Sequence, residues 1–465
     1  MKYKTIILLF AFSLVLNVIV SQVSPIVWWD EAVYSSLGYD LSSDPLTYGF
    51  SKWGDRNFDW VDKAGFRAPL LPYSLAAIFA GGGSYFATSL LIPIIGALGV
   101  VLIYLLTKKM FGEKVALYSA LFLMLIPIHL RYSGKILADV LATTLITGTF
   151  YIFWLGFEKK DPKYKILTGF LAGLTILAKY ATLFMLPIFL IYLLLRDRNV
   201  KFLKDRHLWI AALVFLLTLT PLLIYGQISY GNPLGAFIHG QKAASYWGSG
   251  SPWYFVISNA PAMFSIVSIF ILIGFLTMIK KFKFKEHNKM LILLWFLIFM
   301  IFFSSLGHKE DRYFLPVVPA ACIIAGLALG NMKKYQKQIF TGIMIILVAG
   351  AFYTIYNESG GGADDLNCFL DANEFLKNTE DNALIFTDSS PLVYHYTRKE
   401  NHYFAQSVTE LTDLIDEHYQ DRPVYVLWTK YDKPTDLRQD LNKHSEFGIV
   451  YRCPENGELA VIYKH

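Results

Sequence analysis

Residues 26–40 read IVWWDEAVYSSLGYD, so two adjacent carboxylates, Asp30 and Glu31, stand directly after an apolar run, with Trp28, Trp29 and Tyr34 around them. Ionisable groups at the edge of hydrocarbon are costly, and each requires an account. Others recur along the chain. Arg67 precedes a proline-rich apolar segment, Arg131 and Lys135 lie in HLRYSGK, and Asp139 lies one turn into the next apolar run. Lys179 occupies the short turn of GLTILAKYATLFMLP, and HKEDRYFLPVVP carries Lys309, Glu310, Asp311 and Arg312, followed by Tyr313. These residue types suit a transfer reaction with an anionic leaving group. A carboxylate removes the proton of an attacking hydroxyl, a role worth roughly 10²–10⁴-fold. Arg and Lys aimed at a phosphate stabilise the charge that grows on it, and so favour the transition state over the ground state. A sugar carried on a lipid phosphate presents that situation at a membrane surface, because breaking its glycosidic bond turns a singly charged diester into a more negative monoester.

The groups can cooperate only if the elements between them set them on one side of a bilayer. Of the 465 residues, 55% are hydrophobic and 16% aromatic, more apolar surface than a soluble domain of this length can hide. Apolar stretches recur from Ile6 to Tyr356, and helices, which satisfy their own backbone groups, are the means of crossing hydrocarbon. The predicted fold is an α-helical polytopic membrane bundle of about eleven spans plus interfacial helices. The spans fall near 5–23, 84–107, 115–130, 136–156, 164–178, 180–196, 207–226, 254–279, 288–306, 313–330 and 338–356. The first is read as a span and not as a cleaved signal, because its apolar run is long and no small-x-small site precedes SPIVWWD. The net charge of +6 gathers in short loops, not in the long stripe that would point to nucleic acid. With a cytoplasmic N-terminus, the loops TKKMFGEK, FEKKDPKYK, RDRNVKFLKDRH, KKFKFKEHNK and MKKYQKQ all fall inside, as the positive-inside rule requires. The loops bearing Asp30, Arg67, Asp139, Lys179 and Arg312 then all fall outside.

The segment APLLPYSLAAIFA at 68–80 is apolar but only about 20 Å long as a helix. It reads as interfacial or re-entrant, within an outer loop at 24–83 suited to amphipathic helices along the surface. From about 357 the composition changes. NESGGGADD reads as a linker, ALIFTD and PVYVLW as buried strands, VTELTDLIDEHY as an amphipathic helix, and GIVYRC with LAVIYKH as a terminal strand pair. A small extracytoplasmic α/β domain at 357–465 therefore follows a membrane domain at 1–356. Cys368 and Cys453 lie in that domain, either unpaired or joined, and Cys322 lies in a span. No spacing of His, Cys or carboxylates reads as a metal site, so neither metal nor cofactor is expected.

In order and spacing these segments resemble the GT-C superfamily of multi-spanning glycosyltransferases, in particular the protein O-mannosyltransferase and lipid A aminoarabinose transferase branch. The resemblance rests on WWDEAVY, FRAPLLPY, GKILADVLATTLI, GLTILAKYATLFMLP and DRYFLPVVPA. It implies an enzyme that moves a sugar from a polyprenyl or dolichyl phosphate to a hydroxyl of a protein, glycan or lipid, with inversion, at the outer face of the plasma membrane. It further implies Asp30 as base and Glu31 as its support. Arg312 would hold the donor phosphate, helped by Lys309, Arg67 and Lys179, with Asp139, Tyr34 and Tyr313 lining the cavity. The family's first proline is Ala68 here, and the W-W-D-Y-G signature of oligosaccharyltransferases is absent, since SYWGSG at 245–250 lacks its Asp. Simpler readings stand beside these. Asp30, Glu31 and Asp139 would serve as helix-start charges, Lys179 and Arg67 would snorkel, and Arg312 would pair with Glu310 or Asp311. Trp28, Trp29, Trp53 and Trp60 suit interface anchors. A transporter or lipid flippase is the alternative function, but such proteins place charge near the midplane and carry repeats, and this chain shows no repeat.

Overall fold

Long apolar runs free of helix breakers become long helices, and where a breaker interrupts them the helix bends or ends. The computed structural model describes residues 3–24, 27–50, 52–54, 64–246, 250–281, 283–359, 364–404, 407–429, 437–454 and 459–465. Trp60, Trp247 and residues 360–363 of the expected linker lie outside them. Two compact units are formed. One comprises Met1–Val23, Gly65–Leu71 and Gly83–Ser359, and the other Ser24–Ala64, Pro72–Gly82 and Gly360–His465.

In the first unit, among the described residues, eight helices are long and apolar enough to cross a membrane, or nine if one bent pair counts as a single span. The protein is a multi-pass helical membrane protein. Several of the expected spans differ from simple rods, two of them broken near a proline. The run at 115–130 forms Glu113–Leu125 and Pro127–Ser133, bent by 60°, because Pro127 supplies no N–H and cannot continue the helix before it. The run at 254–279 forms two short helices, Phe255–Phe264 and Val267–Lys280. Pro261 removes a helical hydrogen bond, and Ser265 then takes a positive φ of 52° that ends the first piece. Pro162–Ala178 has 17 residues; its Gly169 and Gly173, one turn apart, face Ala211 and Thr218 of Arg206–Tyr230. A Cβ at Gly169 would lie 2.0 Å from the Ala211 carbonyl oxygen, so only glycine permits this close helix approach.

The turns of this unit meet in two groups. At one end Lys165 pairs with Asp205, Arg196 and His287 approach Glu158 at 3.3 and 3.6 Å, and Asn288 Nδ2 donates to the Met110 carbonyl at 2.9 Å. These contacts join four of the basic loops. At the other end Ser21 donates to the Ser89 carbonyl, the Ser251 N–H donates to the Gly307 carbonyl, and the acids and bases described below meet.

The second unit is built on a six-stranded sheet of order β1-β3-β2-β4-β6-β5. Its strands are β1 Trp53–Gly54, β2 Leu384–Thr387, β3 Asn401–His402, β4 Val424–Thr429, β5 Gly448–Cys453 and β6 Ala460–Lys464. β1, β3, β2 and β4 run parallel, while β6 and β5 are antiparallel additions. β2 and β4 are buried along their whole length because helices cover both faces. Ile385 and Leu427 pack with Ala372 and Leu376 on one side, and Phe386 and Val426 pack with Leu411 and Ile415 on the other. Cys368 and Cys453 form a disulfide. β2, β4, the helix Val408–His418 and the terminal pair follow the periodicity of the sequence. β1 and β3 do not: each has only two residues, and β1 comes from the segment between the first two long apolar runs. Helix Trp29–Ser43 buries Ala32, Val33, Leu37 and Leu41. Gly38 lets it approach Pro72 and Leu75 of Leu70–Ala80, since a Cβ there would fall 2.6 Å from Leu75 Cβ.

Candidate active site

Asp139 sits in the first turn of Ala138–Glu158, where a carboxylate is favoured by the exposed N–H groups. Helix Pro162–Ala178 stops at Lys179, whose backbone turns to an extended conformation before the 3-10 turn Tyr180–Phe184. That break brings the Lys179 ammonium onto Asp139, with which it forms an ion pair. Asp139 is 5% exposed, so its charge depends on this partner. The ammonium also lies 5.1 Å from the centre of the Tyr313 ring.

The turn DRYFLPV forms a second 3-10 segment, Asp311–Val317. Arg312 donates twice to Glu310, from Nε at 2.7 Å and Nη2 at 3.0 Å, the paired geometry in which guanidinium and carboxylate bind best. Its guanidinium lies 5.7 Å from the Tyr313 ring centre. The Tyr313 hydroxyl donates to Glu310 at 3.1 Å, and a ring nitrogen of His308 lies 3.3 Å from the same carboxylate. Burial pushes the Glu310 carboxyl up, but the Arg312 hydrogen bond and charge, with those of His308 and Tyr313, outweigh it and hold the group below the ordinary carboxylate range. Tyr313 is thus a ring with a cation near it from each of two elements, fixed by its own hydroxyl.

Asp311 extends the array. It accepts from the Arg312 N–H at 2.8 Å and from the Tyr132 hydroxyl at 2.5 Å. Arg131 lies 3.8 Å from Asp311 and donates to Glu358 at 2.8 Å, and Lys135 pairs with Glu358 at 2.8 Å. Arg67 belongs to the same unit: the Tyr180 hydroxyl donates to the carbonyls of Gly65 and Arg67 at 2.8 and 3.2 Å. The residue after Lys179 therefore pins the Arg67 turn. Lys309 is 6% exposed, and its ammonium donates to the carbonyls of Ser251 and Leu306 at 3.0 and 2.5 Å. It braces these turns through backbone oxygens.

Asp30, Glu31 and Tyr34 belong to the second unit. Trp28 caps helix Trp29–Ser43, and Glu31, 4% exposed, turns back to accept the Trp28 N–H at 3.0 Å. This is the reciprocal half of a capping box. Asp30 and Tyr34, four residues apart, share a half-exposed face of the helix. The cap is held further by the Val27 N–H, which donates to the Tyr396 hydroxyl at 3.2 Å, and by Trp29 stacking on Tyr403 with ring centres 6.3 Å apart.

The structure thus joins Asp139, Lys179, Tyr313 and Arg312 directly, with Arg67 beside Tyr180, and sets Lys309 apart as a brace. Among the described residues no group of three or more His, Cys, Asp or Glu side chains could hold a metal ion. Sequence reasoning missed Glu358, which falls in the run read as linker but ends helix Gln336–Glu358. The available signal was the lack of any breaker between Tyr356 and Gly360. Tyr132 was missed as well, because nothing near it in sequence marks it as a partner of Asp311.

Residues 41–382 match the Alg9-like mannosyltransferase family. That interval contains Arg67, Asp139, Lys179, Lys309, Arg312 and Tyr313 and leaves out Asp30, Glu31 and Tyr34. The chain is 28% identical over 128 residues to GPI alpha-1,2-mannosyltransferase 3 of Mus musculus, covering 27% of this chain and 22% of that protein. It is 27% identical over 309 residues to Mannosyltransferase APTG1 of Arabidopsis thaliana, covering 62% and 52%. The match therefore spans from about a fifth to about half the length of these curated relatives. The crystal structure of ArnT from Cupriavidus metallidurans in the apo state is similar with a TM-score of 0.78 at 14% identity, covering 100% of this chain and 98% of that one. ArnT bound to undecaprenyl phosphate gives 0.77. At that identity the likeness shows a shared fold.

Proposed function

This chain belongs to the Alg9-like mannosyltransferase family and has a GT-C-type fold, and on that premise we propose that it transfers a mannosyl-type sugar from a polyprenyl or dolichyl phosphate to an acceptor hydroxyl. The observation that carries this reading is the pair of cations near Tyr313, Lys179 at 5.1 Å and Arg312 at 5.7 Å from its ring centre. Each is held by a carboxylate, at one end of a membrane bundle whose basic loops meet at the other. Such an arrangement suits a phosphate that must gain charge as its sugar leaves. The binding of undecaprenyl phosphate by ArnT, a protein of the same fold, supports the lipid phosphate as the donor's anchor.

In this mechanism Arg312 and Lys179 take the donor phosphate, exchanging part of their contact with Glu310 and Asp139 for phosphate oxygens, and Arg67 assists. Lys309 keeps the turns in place. Asp30 removes the acceptor proton; Glu31, committed to the Trp28 N–H, orients the helix start that carries Asp30. Tyr34, on the helix face of Asp30, and Asp139, paired with Lys179, are the further substrate contacts of their own units. Attack on the face opposite the phosphate inverts the anomeric carbon. The N-terminus lies in the cytoplasm and residues 360–465 belong to an extracytoplasmic domain of a plasma-membrane protein, with a protein, glycan or lipid as acceptor.

The test is transfer of radiolabelled mannose from a short-chain prenyl-phosphate donor by the purified protein. A glycosylated product is expected from this enzyme, whereas a transporter or flippase yields none. Asp30→Asn should lower turnover by roughly 10²–10⁴-fold with the fold intact; near-normal turnover refutes the base assignment.

A further inference from the structure

Glu358 ends the last membrane helix and uses its carboxylate in a way that a helix terminus does not require. A negative charge in the final turn is disfavoured by the carbonyl end of the helix dipole. Its side chain is only 8% exposed, and Lys135 opposite it is 1% exposed. One cation would compensate such a charge. Two are present: Arg131 Nε at 2.8 Å and Lys135 Nζ at 2.8 Å, on different oxygens. Arg131 uses a second nitrogen towards Asp311, 3.8 Å away, and Asp311 receives the Arg312 N–H at 2.8 Å and the Tyr132 hydroxyl. A continuous line of charge-assisted contacts thus runs from Glu358 through Arg131 and Asp311 to the backbone of Arg312.

We infer that Glu358 is a positioning residue for phosphate binding: by engaging Arg131 it keeps that guanidinium from taking Asp311 fully, so Asp311 stays on the Arg312 N–H and fixes the turn that presents Arg312. Arg131 bridges the two carboxylates, and Glu358 balances its pull. Remove the Glu358 charge and Arg131 closes on Asp311, whose carboxylate already lies 3.8 Å away. The Arg312 turn is released, and the cluster of Arg131, Lys135 and Asp311 is left with one net positive charge. Ground-state attraction for an anionic donor is retained, while the alignment needed at the transition state is lost. Lys135 points its buried ammonium at the other Glu358 oxygen, so its contribution is compensation of the Glu358 charge.

This inference rests on the proposed lipid-phosphate reading and is tested in the same transfer assay. Glu358→Gln should lower kcat at least about tenfold while the donor KM stays within about threefold. Combining it with Arg131→Gln should cost no more than Arg131→Gln alone, because the two act in series. Lys135→Met, which leaves Glu358 on Arg131, should melt at a lower temperature yet keep kcat within about threefold of wild type. If Glu358→Gln and Lys135→Met lose activity only in proportion to lost thermal stability, or if Glu358→Gln keeps its kcat, the positioning role is overturned. If Glu358→Gln does not fold, the decision falls to Lys135→Met, where a tenfold loss of kcat overturns the inference and a retained kcat supports it. Absence of transfer by the wild-type protein overturns the donor reading instead, so the two failures are distinct.

Discussion

Substituting the Asp139–Lys179 pair separates what it contributes to folding from what its cation contributes to transfer. The two side chains are 7% and 21% exposed, well below the exposure at which solvent screening leaves an ion pair almost worthless. Removing one partner of a buried pair costs about 3–5 kcal/mol, because the remaining charge is left uncompensated. Lys179 keeps some solvent and has the Tyr313 ring 5.1 Å from its ammonium, so the lower end, about 3 kcal/mol, applies to Asp139→Leu. Replacing both partners, Asp139→Leu with Lys179→Met, removes the desolvation cost together with the attraction and should return stability to within about 1 kcal/mol of wild type. Thermal unfolding of the purified protein in one detergent, run beside the transfer assay, reads both quantities. The single variant should melt well below wild type and the double variant close to it, yet the double variant should transfer no better than Lys179→Met alone. Recovery of transfer along with stability would show that Lys179 acts only in folding. An Asp139→Leu variant as stable as wild type would refute the buried ion pair itself.

Glu31→Ala strips the Trp28 N–H of its acceptor in a buried setting and should cost about 1–2 kcal/mol in thermal unfolding, with a smaller loss of kcat than Asp30→Asn. Equal losses would show that the two acids work as one unit. A pH dependence follows from His395 in the second unit, where burial holds the ring pKa down to about 3, against about 6.5 when unfolded. Between those values the unfolded chain binds more protons than the folded one, so the unit loses stability as pH falls, by up to about 1.4 kcal/mol per pH unit. His395→Phe should flatten that slope in the pH dependence of limited proteolysis of residues 364–465; an unchanged slope refutes the assignment.

What the sequence makes legible is whatever repeats along it. A membrane helix needs about 20 consecutive apolar residues, and a covered parallel strand needs a short unbroken run such as LIFT or VYVLW, so both can be read without knowing their partners. Contacts between distant residues leave no such period. Pro127 was visible, but the apolar run continues through it, and hydropathy carries no angle, so the 60° bend was not. Glu358 depends on Arg131 and Lys135, more than 200 residues earlier. The acidic pair shows the limit most directly. Neighbouring helix positions are about 100° apart, so once WDEAVY becomes the first turns of a helix, Asp30 and Glu31 cannot face the same way. Glu31 takes the third helical position, from which a carboxylate reaches back to the capping N–H, and packing then buries it. Asp30 is left on the half-exposed face with Tyr34. The motif therefore reads as a single acidic site in sequence and divides on folding into one carboxylate that closes the cap and one on the half-exposed face.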